Sequence, residues 1–409
     1  MIMIVRIRKE NDQYLAYFLE MRRMVGVNLT GAEIIDQYFN SGLDEASVAK
    51  KLAKTHNMSL EQAKKDTAAF LQIIAKELQP TSFNNTEQSS VSAPIGVELE
   101  ITTTCNLRCK HCLQSDYSKL FMAIEKAKRI IDTLKNAGVF EISIIGGEPF
   151  AHPQACDFIR YAHDCGLAVG LTTNGSLITS EYIRKMSGLD NLSIAVSIDG
   201  IGRDHDYIRG SGIFSKIDQI IRQMINVGIE VEAMFTITSY NIEKYGSVLD
   251  YCNNLGIVCN FNLFKPFKES HKTLVPDPLR FFKLVKELFA MRQSRKYKIG
   301  LSNAAIVSYL LGIQTRDECR AGQSGLVIDV RGHMLTCPSL LYCGYYKDTD
   351  FPLFDDNFVE VWQTHPLFTE FKKNGLHGCQ VRSLIYSGDV RKGDPYDLSA
   401  FRKFAERKS

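Results

Sequence analysis

Cys105, Cys109 and Cys112 fall within the eleven residues TTTCNLRCKHC, with Asn106, Leu107 and Arg108 between the first two. Three thiols this close suit a metal centre, a redox pair with a spare thiol, or coincidence. A structural zinc site is normally tetrahedral with four protein ligands, and no second C-x2-C pair stands nearby to complete one. A cubic iron–sulfur cluster also takes four ligands, one per iron, so three thiolates leave one iron open. A second group lies downstream. Cys319 and Cys337 bracket CRAGQSGLVIDVRGHMLTC, Cys343 follows closely, and Cys379 opens CQVRSLIYSGDVRKGDPYDL. Cys156, Cys165, Cys252 and Cys259 fall on apolar stretches and read first as buried core residues.

The chain that must position these groups has 409 residues, enough for two or three domains. Its hydrophobic fraction of 45% and charged fraction of 23% are those of a soluble protein with a sizeable core. A net charge of +3 implies no broad attraction to nucleic acid or to an anionic membrane. No apolar run approaches membrane-spanning length, and Arg6, Arg8 and Lys9 come too early for a signal peptide, so a cytoplasmic location is expected. In a reducing compartment, eleven cysteines, an odd number, point to metal ligation plus buried thiols rather than to a disulfide framework.

Residues 1–80 read as a module of their own. MIMIVRIR and QYLAYFLE suit two strands around the turn from Lys9 to Asp12, and LTGAEIIDQYFNSG suits a helix that Thr30 could cap and Gly42 could end. A short helix from Asp44 and a longer one carrying Leu60, Ala63, Phe70 and Ile74 complete a winged-helix-like module. Its eleven basic and ten acidic residues give no support to DNA binding. Residues 81–94 are polar, without periodicity, and read as a linker.

From 95 to 274, strand segments alternate with amphipathic stretches. VELEITT (97–103), FEISIIGGEP (140–149), LAVGLTTNG (167–175), LSIAVSIDG (192–200), EVEAMFTIT (230–238) and CNFNLF (259–264) predict six β/α units with a parallel sheet, as an incomplete barrel or an open doubly wound sheet. Either form places chemistry at the C-terminal strand ends. Those ends carry the three cysteines, then Gly146, Gly147, Glu148 and Pro149, then Asn174, then Ser197 and Asp199. Residues 275–312 read as a helical connector. Residues 313–409 form a further domain, in which a hairpin around Val330 to His333 brings Cys319 and Cys337 together.

C-x3-C-x2-C after the first strand, with GGEP after the second, resembles the radical S-adenosylmethionine superfamily. The resemblance implies a partial (β/α)6 TIM-type barrel in which Cys105, Cys109 and Cys112 ligate a 4Fe–4S cluster. S-adenosylmethionine chelates the open iron and is cleaved to a 5′-deoxyadenosyl radical, with the electron coming from an external donor such as flavodoxin or ferredoxin. It also implies that His111 packs against the adenine, that Gly146 and Gly147 admit the cofactor closely, that Glu148 accepts a bond from its ammonium, and that Pro149 stiffens the turn. In SIDGIGRDHDYIRGSGIF (197–214), Ser197 and Asp199 become contacts to ribose or carboxylate, and Arg209 a partner of the methionyl carboxylate. Plainer roles stand beside these. Asn174 could be a turn residue rather than a cofactor contact, Ser197 and Asp199 could cap a helix, and Arg209 could be a surface ion-pair partner.

The segment from Cys319 through Gly332 to Cys337 is similar to the opening of the SPASM and twitch extensions. That similarity implies one auxiliary iron–sulfur cluster, of 4Fe–4S type, held by Cys319, Cys337 and Cys379. Cys343 is a candidate fourth ligand, with an open iron and a buried Cys343 thiol as the alternatives. Full SPASM domains carry further cysteines before the equivalent of Cys379, where FKKNGLHG stands here, and after the Asp394 and Pro395 pair, where Tyr396 and Asp397 stand. A second auxiliary cluster is therefore not expected.

Residues 28–74 resemble the PqqD-like peptide-recognition domain, which implies that a leader peptide binds as an added strand. A regulatory or dimerising module is the alternative. Together these features imply a radical SAM oxidoreductase for a ribosomally synthesised precursor peptide, closing an intramolecular thioether or carbon–carbon crosslink. The alternatives are epimerisation, with Cys259 or Cys252 returning a hydrogen atom, and another maturation such as sulfatase-type protein oxidation. A cluster-containing DNA-binding regulator is disfavoured by the near-neutral module and by GGEP.

Overall fold

The computed structural model describes residues 3–78, 91–113, 119–302, 304–313, 319, 321–373 and 378–407. Most of the expected linker, 81–90, lies outside that set. The first sheet is an antiparallel meander of β1 (Val5–Glu10), β2 (Gln13–Phe18) and β3 (Arg23–Val27). The two strands read from the sequence are therefore three. β3 is five residues long with a glycine inside it, and its pairing with β2, from Phe18↔Arg23 to Tyr14↔Val27, supplies what its local pattern lacks. The central strand β2 is buried on both faces. Leu15 and Tyr17 join the main core, whereas Ala16 and Phe18 pack with Val27, Ile35 and Ile74 in the module's own core.

The helix Leu29–Ile35 is capped by Asn28, whose side chain accepts the Gly31 N–H at 2.8 Å, rather than by Thr30. Helices Glu45–Thr55 and Leu60–Glu77 follow, capped by Asp44 and Ser59. The module is fastened to the rest of the chain by specific contacts. Tyr17 stacks on Phe140 at 5.2 Å and its hydroxyl donates to Glu141 at 2.7 Å. Arg8 donates to the Pro94 and Gly138 carbonyls, and Arg22, in the β2–β3 turn, donates to those of Val169 and Asn191.

The second sheet has nine strands. β4 (Gly96–Thr102), β5 (Glu141–Gly146), β6 (Ala168–Thr173), β7 (Leu192–Ser197), β8 (Glu230–Ile237) and β9 (Val258–Leu263) run parallel in sequence order and are the six expected from the sequence. β10 (Ile299–Leu301) extends the β9 edge in parallel, inside the segment read as wholly helical. On the other edge β11 (Gly325–Ile328) pairs in parallel with β4, and β12 (Met334–Leu335) pairs antiparallel with β11. The expected hairpin thus forms, closed by the Gly332 N–H donating to Asp329 O, with Gly332 at φ 93°. It belongs to the barrel sheet, not to a sheet of its own. The sheet order is linear, so the barrel is partial.

Along these strands the two faces differ. Val97, Leu99 and Ile101 of β4, Val231, Ala233 and Phe235 of β8, and Cys259 and Phe261 of β9 are buried in the core. Helices such as Ile124–Asn136 and Ile213–Asn226 cover that outer face with apolar stripes, Ile130, Ile131 and Leu134 in the first. The alternate residues Glu98, Met234, Thr236, Asn260 and Asn262 line a cavity inside the sheet. Among the described residues, no helix is long and apolar enough to cross a membrane.

Candidate active site

Where β4 ends, the chain enters the cysteine loop, and two backbone bonds tie that loop to the turn after β5. Gly147 N–H donates to Thr102 O at 2.9 Å and Glu148 N–H to Thr104 O at 2.8 Å. A Cβ on residue 146 would lie 2.5 Å from Thr102 O, so glycine is required there by the approach of β4. Within the loop, Cys112 N–H donates to Cys109 O, and Lys110 N–H donates to Ile208 O just before Arg209. Cys105 Sγ lies 3.9 Å from the Asn174 amide nitrogen, and Cys109 Sγ 3.9 Å from a terminal nitrogen of Arg209. All three thiols are partly buried. Burial pushes the Cys105 thiol up, and carries Cys109 to about 11 against the pull of Arg209, so ionisation awaits a cation.

Glu148 is fully buried and anchored on both oxygens. Oε1 accepts the Thr173 hydroxyl at 2.6 Å and the Phe150 N–H at 3.2 Å, and Oε2 accepts the Asn174 N–H at 2.7 Å. Its carboxylate therefore clamps β5 to the end of β6, a task the sequence reading did not assign. Burial pushes its pKa up against these three donors. Asn174 takes the turn role. Its Oδ1 accepts the Ser176 N–H in a turn, and its amide nitrogen donates to Asn106 Oδ1 at 3.1 Å beside Cys105.

Asp199 does not cap the helix that follows, whose cap position is Gly202. It accepts Arg209 Nε at 2.5 Å and the Thr236 N–H at 3.1 Å, with His111 Nε2 at 3.4 Å. Arg209 is thus no surface residue but a member of a buried group that faces the cysteine loop. Ser197 is buried at the end of β7. His111 sits edge-on to Phe264, and burial drops its pKa to about 4. His111 Nδ1 and Thr104 Oγ1 are buried without a hydrogen-bond partner among the described residues, which is costly unless a bound group supplies one. Clustered thiols, orphaned polar atoms and a facing cation suit an iron–sulfur cluster with a polar cofactor. Among the described residues, no three His, Cys, Asp or Glu side chains are placed to hold a single metal ion.

The second cysteine set is organised by Asp394. This buried carboxylate accepts the Cys379 N–H at 2.9 Å, the Tyr396 N–H at 3.0 Å and Arg382 Nε at 2.9 Å. Gly378 at φ 69° faces Asp394 and Asp397, where a Cβ would meet Asp394 at 2.6 Å. Burial raises the Cys319 thiol to about 11 and also raises Cys337. Thr336 Oγ1 and Gln380 Nε2, each adjacent to a cysteine of the set, are buried without partners among the described residues, and hydrogen bonds to sulfur are a recurrent part of cluster sites. Cys343 sits differently. It follows the helix Pro338–Tyr342, its thiol lies 3.4 Å from Leu340 O, and it packs beside Leu340, Val381 and Val390.

A cavity of about 1200 Å³ is lined by His111 and Leu113, on either side of Cys112 in the sequence, and by Cys319, Cys337 and Cys379. Met21 and Arg22 of the N-terminal module also border it. Two residues passed over in the sequence, Lys265 and Glu98, open onto this cavity. Lys265 stands two residues beyond the end of β9, and that position was the available signal. Cys259, considered as a hydrogen donor, is fully buried on the opposite face of β9 and hydrogen-bonded to Cys252.

Comparison with known proteins agrees with this geometry. The family model of the Radical SAM superfamily matches residues 99–252. The chain is similar to the AdoMet-dependent heme synthase of Methanosarcina barkeri (strain Fusaro / DSM 804), 23% identical over 342 residues that cover 75% of this chain and 96% of that protein. It is 25% identical over 297 residues to the mycofactocin maturase MftC of Mycolicibacterium smegmatis, covering 70% and 74% of the two chains. In fold it is similar to Streptococcus suis SuiB bound to S-adenosylmethionine, with a TM-score of 0.72 at 16% identity, over 95% of this chain and 97% of that one. SuiB bound to its precursor peptide SuiA superposes with a TM-score of 0.69.

Proposed function

Since residues 99–252 are a radical S-adenosylmethionine superfamily domain, we propose that this chain matures a ribosomally synthesised precursor peptide by an oxidative crosslink, a thioether or a carbon–carbon bond. The observation that carries this reading is the single cavity bordered by the barrel interior, the second cysteine set and the N-terminal module. Cys105, Cys109 and Cys112 would hold a 4Fe–4S cluster, and Cys319, Cys337 and Cys379 an auxiliary one. The first cluster, with S-adenosylmethionine bound, would supply a 5′-deoxyadenosyl radical for hydrogen abstraction. Around it, Glu148 fixes the turn after β5 against β6, and Arg209 with Asp199 sets a cation beside Cys109.

The N-terminal module would hold the leader as a fourth strand on β3. The outer edge of β1 is occupied at Val5, whose N–H and C=O both bond the Asn40 side chain, whereas β3 begins next to the cavity-lining Met21 and Arg22. Strand addition gives affinity through backbone bonds, and tethering raises the local concentration of the peptide core.

The likeness to MftC and to peptide-bound SuiB favours a peptide. The similarity to heme synthase, which covers nearly all of that protein, favours a tetrapyrrole instead, but it covers 75% of this chain, whereas the fold likeness to peptide-bound SuiB covers 95%. Anaerobic incubation of the reduced protein with a short peptide encoded beside it separates these readings. A loss of two hydrogens from the peptide supports the crosslink. Unchanged mass with deuterium taken from solvent supports epimerisation, and heme formed from a tetrapyrrole precursor supports the other class. Deoxyadenosine formation must vanish in Cys105→Ala, Cys109→Ala and Cys112→Ala.

A further inference from the structure

The first cysteine loop is a thin wall between its thiols and solvent. Cys105, Leu107, Cys109 and His111 are partly buried, whereas Asn106, Arg108 and Lys110, which alternate with them, are exposed. The thiols of Cys105 and Cys109 meet Asn174 and Arg209 on the inner side. On the outer side Arg108 donates to the Cys105 and Leu107 carbonyls at 3.0 and 2.8 Å, which stiffens the loop.

An aromatic and basic surface continues outward from Lys110. Its ammonium lies 3.0 Å from the centre of the Tyr207 ring, and Tyr207 meets Tyr240 edge to face at 5.5 Å. The two tyrosines are 54% and 49% exposed. Arg203 stands one turn before Tyr207 on the helix Arg203–Arg209, and Lys244 reaches Asp204 of the same helix at 3.4 Å. The nearby acids are committed, Asp204 to Lys244, and Asp206 to the Gly212 and Phe214 N–H groups at 2.7 and 2.8 Å. Lys110 and Arg203 have no carboxylate partner among the described residues. A lone exposed ring is ordinary. Two in contact, with unmatched cations around them, have the make-up of an interface, where tyrosine and arginine are enriched.

Position selects the partner. The N-terminal module meets the barrel where β6 and β7 begin, through the bonds from Arg22 to the Val169 and Asn191 carbonyls. Tyr207 and Tyr240 instead follow β7 and β8, at the C-terminal strand ends. A leader held by the module is thus anchored at the other end of the barrel. The tyrosine face is left to a partner that must approach the cysteine loop itself.

We propose that the surface formed by Lys110, Arg203, Tyr207, Tyr240 and Lys244 docks an acidic one-electron carrier protein, of flavin or iron–sulfur type, that reduces the cluster held by Cys105, Cys109 and Cys112. This rests on the reading above that those cysteines hold a cluster. One electron leaves the reduced carrier and enters the oxidised cluster, and no bond is made or broken. Docked here, the carrier is separated from the thiolates by a single layer of backbone. Electron-transfer encounters bury little area, below ~1,200 Å², and opposite charges steer them, so a small basic patch with two exposed rings suffices.

The test uses the reconstituted full chain with an acidic flavodoxin as probe. Binding of oxidised flavodoxin is measured by calorimetry at low and high salt, and deoxyadenosine formation is followed with photoreduced flavodoxin and, separately, with dithionite. Binding to the parent should weaken as salt rises. Arg203→Glu with Lys244→Glu should weaken binding roughly tenfold at low salt and slow the flavodoxin-driven reaction by a similar factor, with the dithionite-driven reaction at the parent rate. Tyr207→Ser with Tyr240→Ser should weaken binding while keeping its salt dependence. Lys50→Glu with Lys51→Glu makes the same change in net charge on the exposed helix Glu45–Thr55 and should bind as the parent does. The proposal is overturned if the parent turns over with dithionite but binds no flavodoxin, or if the two charge-reversed proteins bind flavodoxin equally. A parent that forms no deoxyadenosine even with dithionite overturns the cluster reading instead, which is a different failure.

Discussion

Arg209 donates through Nε to the Asp199 carboxylate at 2.5 Å, and a terminal nitrogen of the same guanidinium lies 3.9 Å from the Cys109 sulfur. Asp199 is fully buried at the end of β7 and receives the Thr236 N–H from β8. Burial alone would raise its pKa, but Arg209 first and then His111 and His205 hold it below the usual carboxylate range. The pair is therefore a strut. It joins two strand ends and directs a positive charge at the cysteine loop, which the Lys110 N–H to Ile208 O bond holds from the other side.

Removing one partner should leave a buried charge uncompensated. Arg209→Met is expected to cost about 3–5 kcal/mol, lowering the thermal midpoint followed by circular dichroism on the metal-free protein. Iron retained after reconstitution should fall as well. A melt superimposable on the parent would show that Asp199 does not depend on Arg209.

Much of this arrangement was legible before any coordinates. The six strands of the barrel and the residues at their C-terminal ends follow from short apolar segments and the turn residues that close them. The alternation in VELE and CNFN also hinted that one face of these strands is polar, since a parallel sheet buried on both faces would read as a continuous apolar run. Three things were not legible. β3 and β10 are too short for periodicity to mark and depend on the edges of β2 and β9, while the parallel pairing of the expected hairpin's first strand, β11, with β4 has no local signal. The Glu148 clamp and the Arg209 strut join residues far apart in sequence, so no spacing reveals them. Lys265 sits in a loop, and its place on the cavity follows from the tertiary fold, not from its neighbours in sequence.

Gly146 faces Thr102 O so closely that an added Cβ would lie 2.5 Å from it, and the neighbour is backbone. Gly146→Ala must push β4 and the turn after β5 apart, at about 1–3 kcal/mol by analogy with overpacked cores. The displacement falls on the two backbone bonds that align the cysteine loop. Deoxyadenosine formation should therefore drop by a larger factor than stability alone explains, with the protein still folded. Parent-like turnover in a folded Gly146→Ala protein would count against that alignment.

Arg22 joins the N-terminal module to the barrel by donating to the Val169 and Asn191 carbonyls at 2.6 and 2.9 Å. Hydrogen bonds from a charged donor contribute about 1.5–3 kcal/mol. Arg22→Ala should loosen the module while leaving the barrel intact. Hydrogen exchange should rise in β1, β2 and β3, with β6 and β7 protected as before. Equal protection of the module in both proteins would mean that Tyr17 and Arg8 suffice to hold it.

His205 is fully buried, with Nδ1 accepting the Asp199 N–H at 3.2 Å and Nε2 without a partner among the described residues. Burial first, and Arg209 next, lower its pKa from 6.5 to about 4. The unfolded chain thus binds this proton more readily than the folded one between those two values. Stability should rise with pH across that window, and the contribution present above pH 6.5 is lost as acid is added toward pH 4. His111, lowered likewise to about 4, acts in the same direction. The thermal midpoint of the metal-free protein should fall steadily on acidification through this range. In His205→Asn, which keeps an acceptor for the Asp199 N–H, the midpoint should depend less on pH even if it starts lower. Parallel pH profiles for the two proteins would assign the acid sensitivity to other groups.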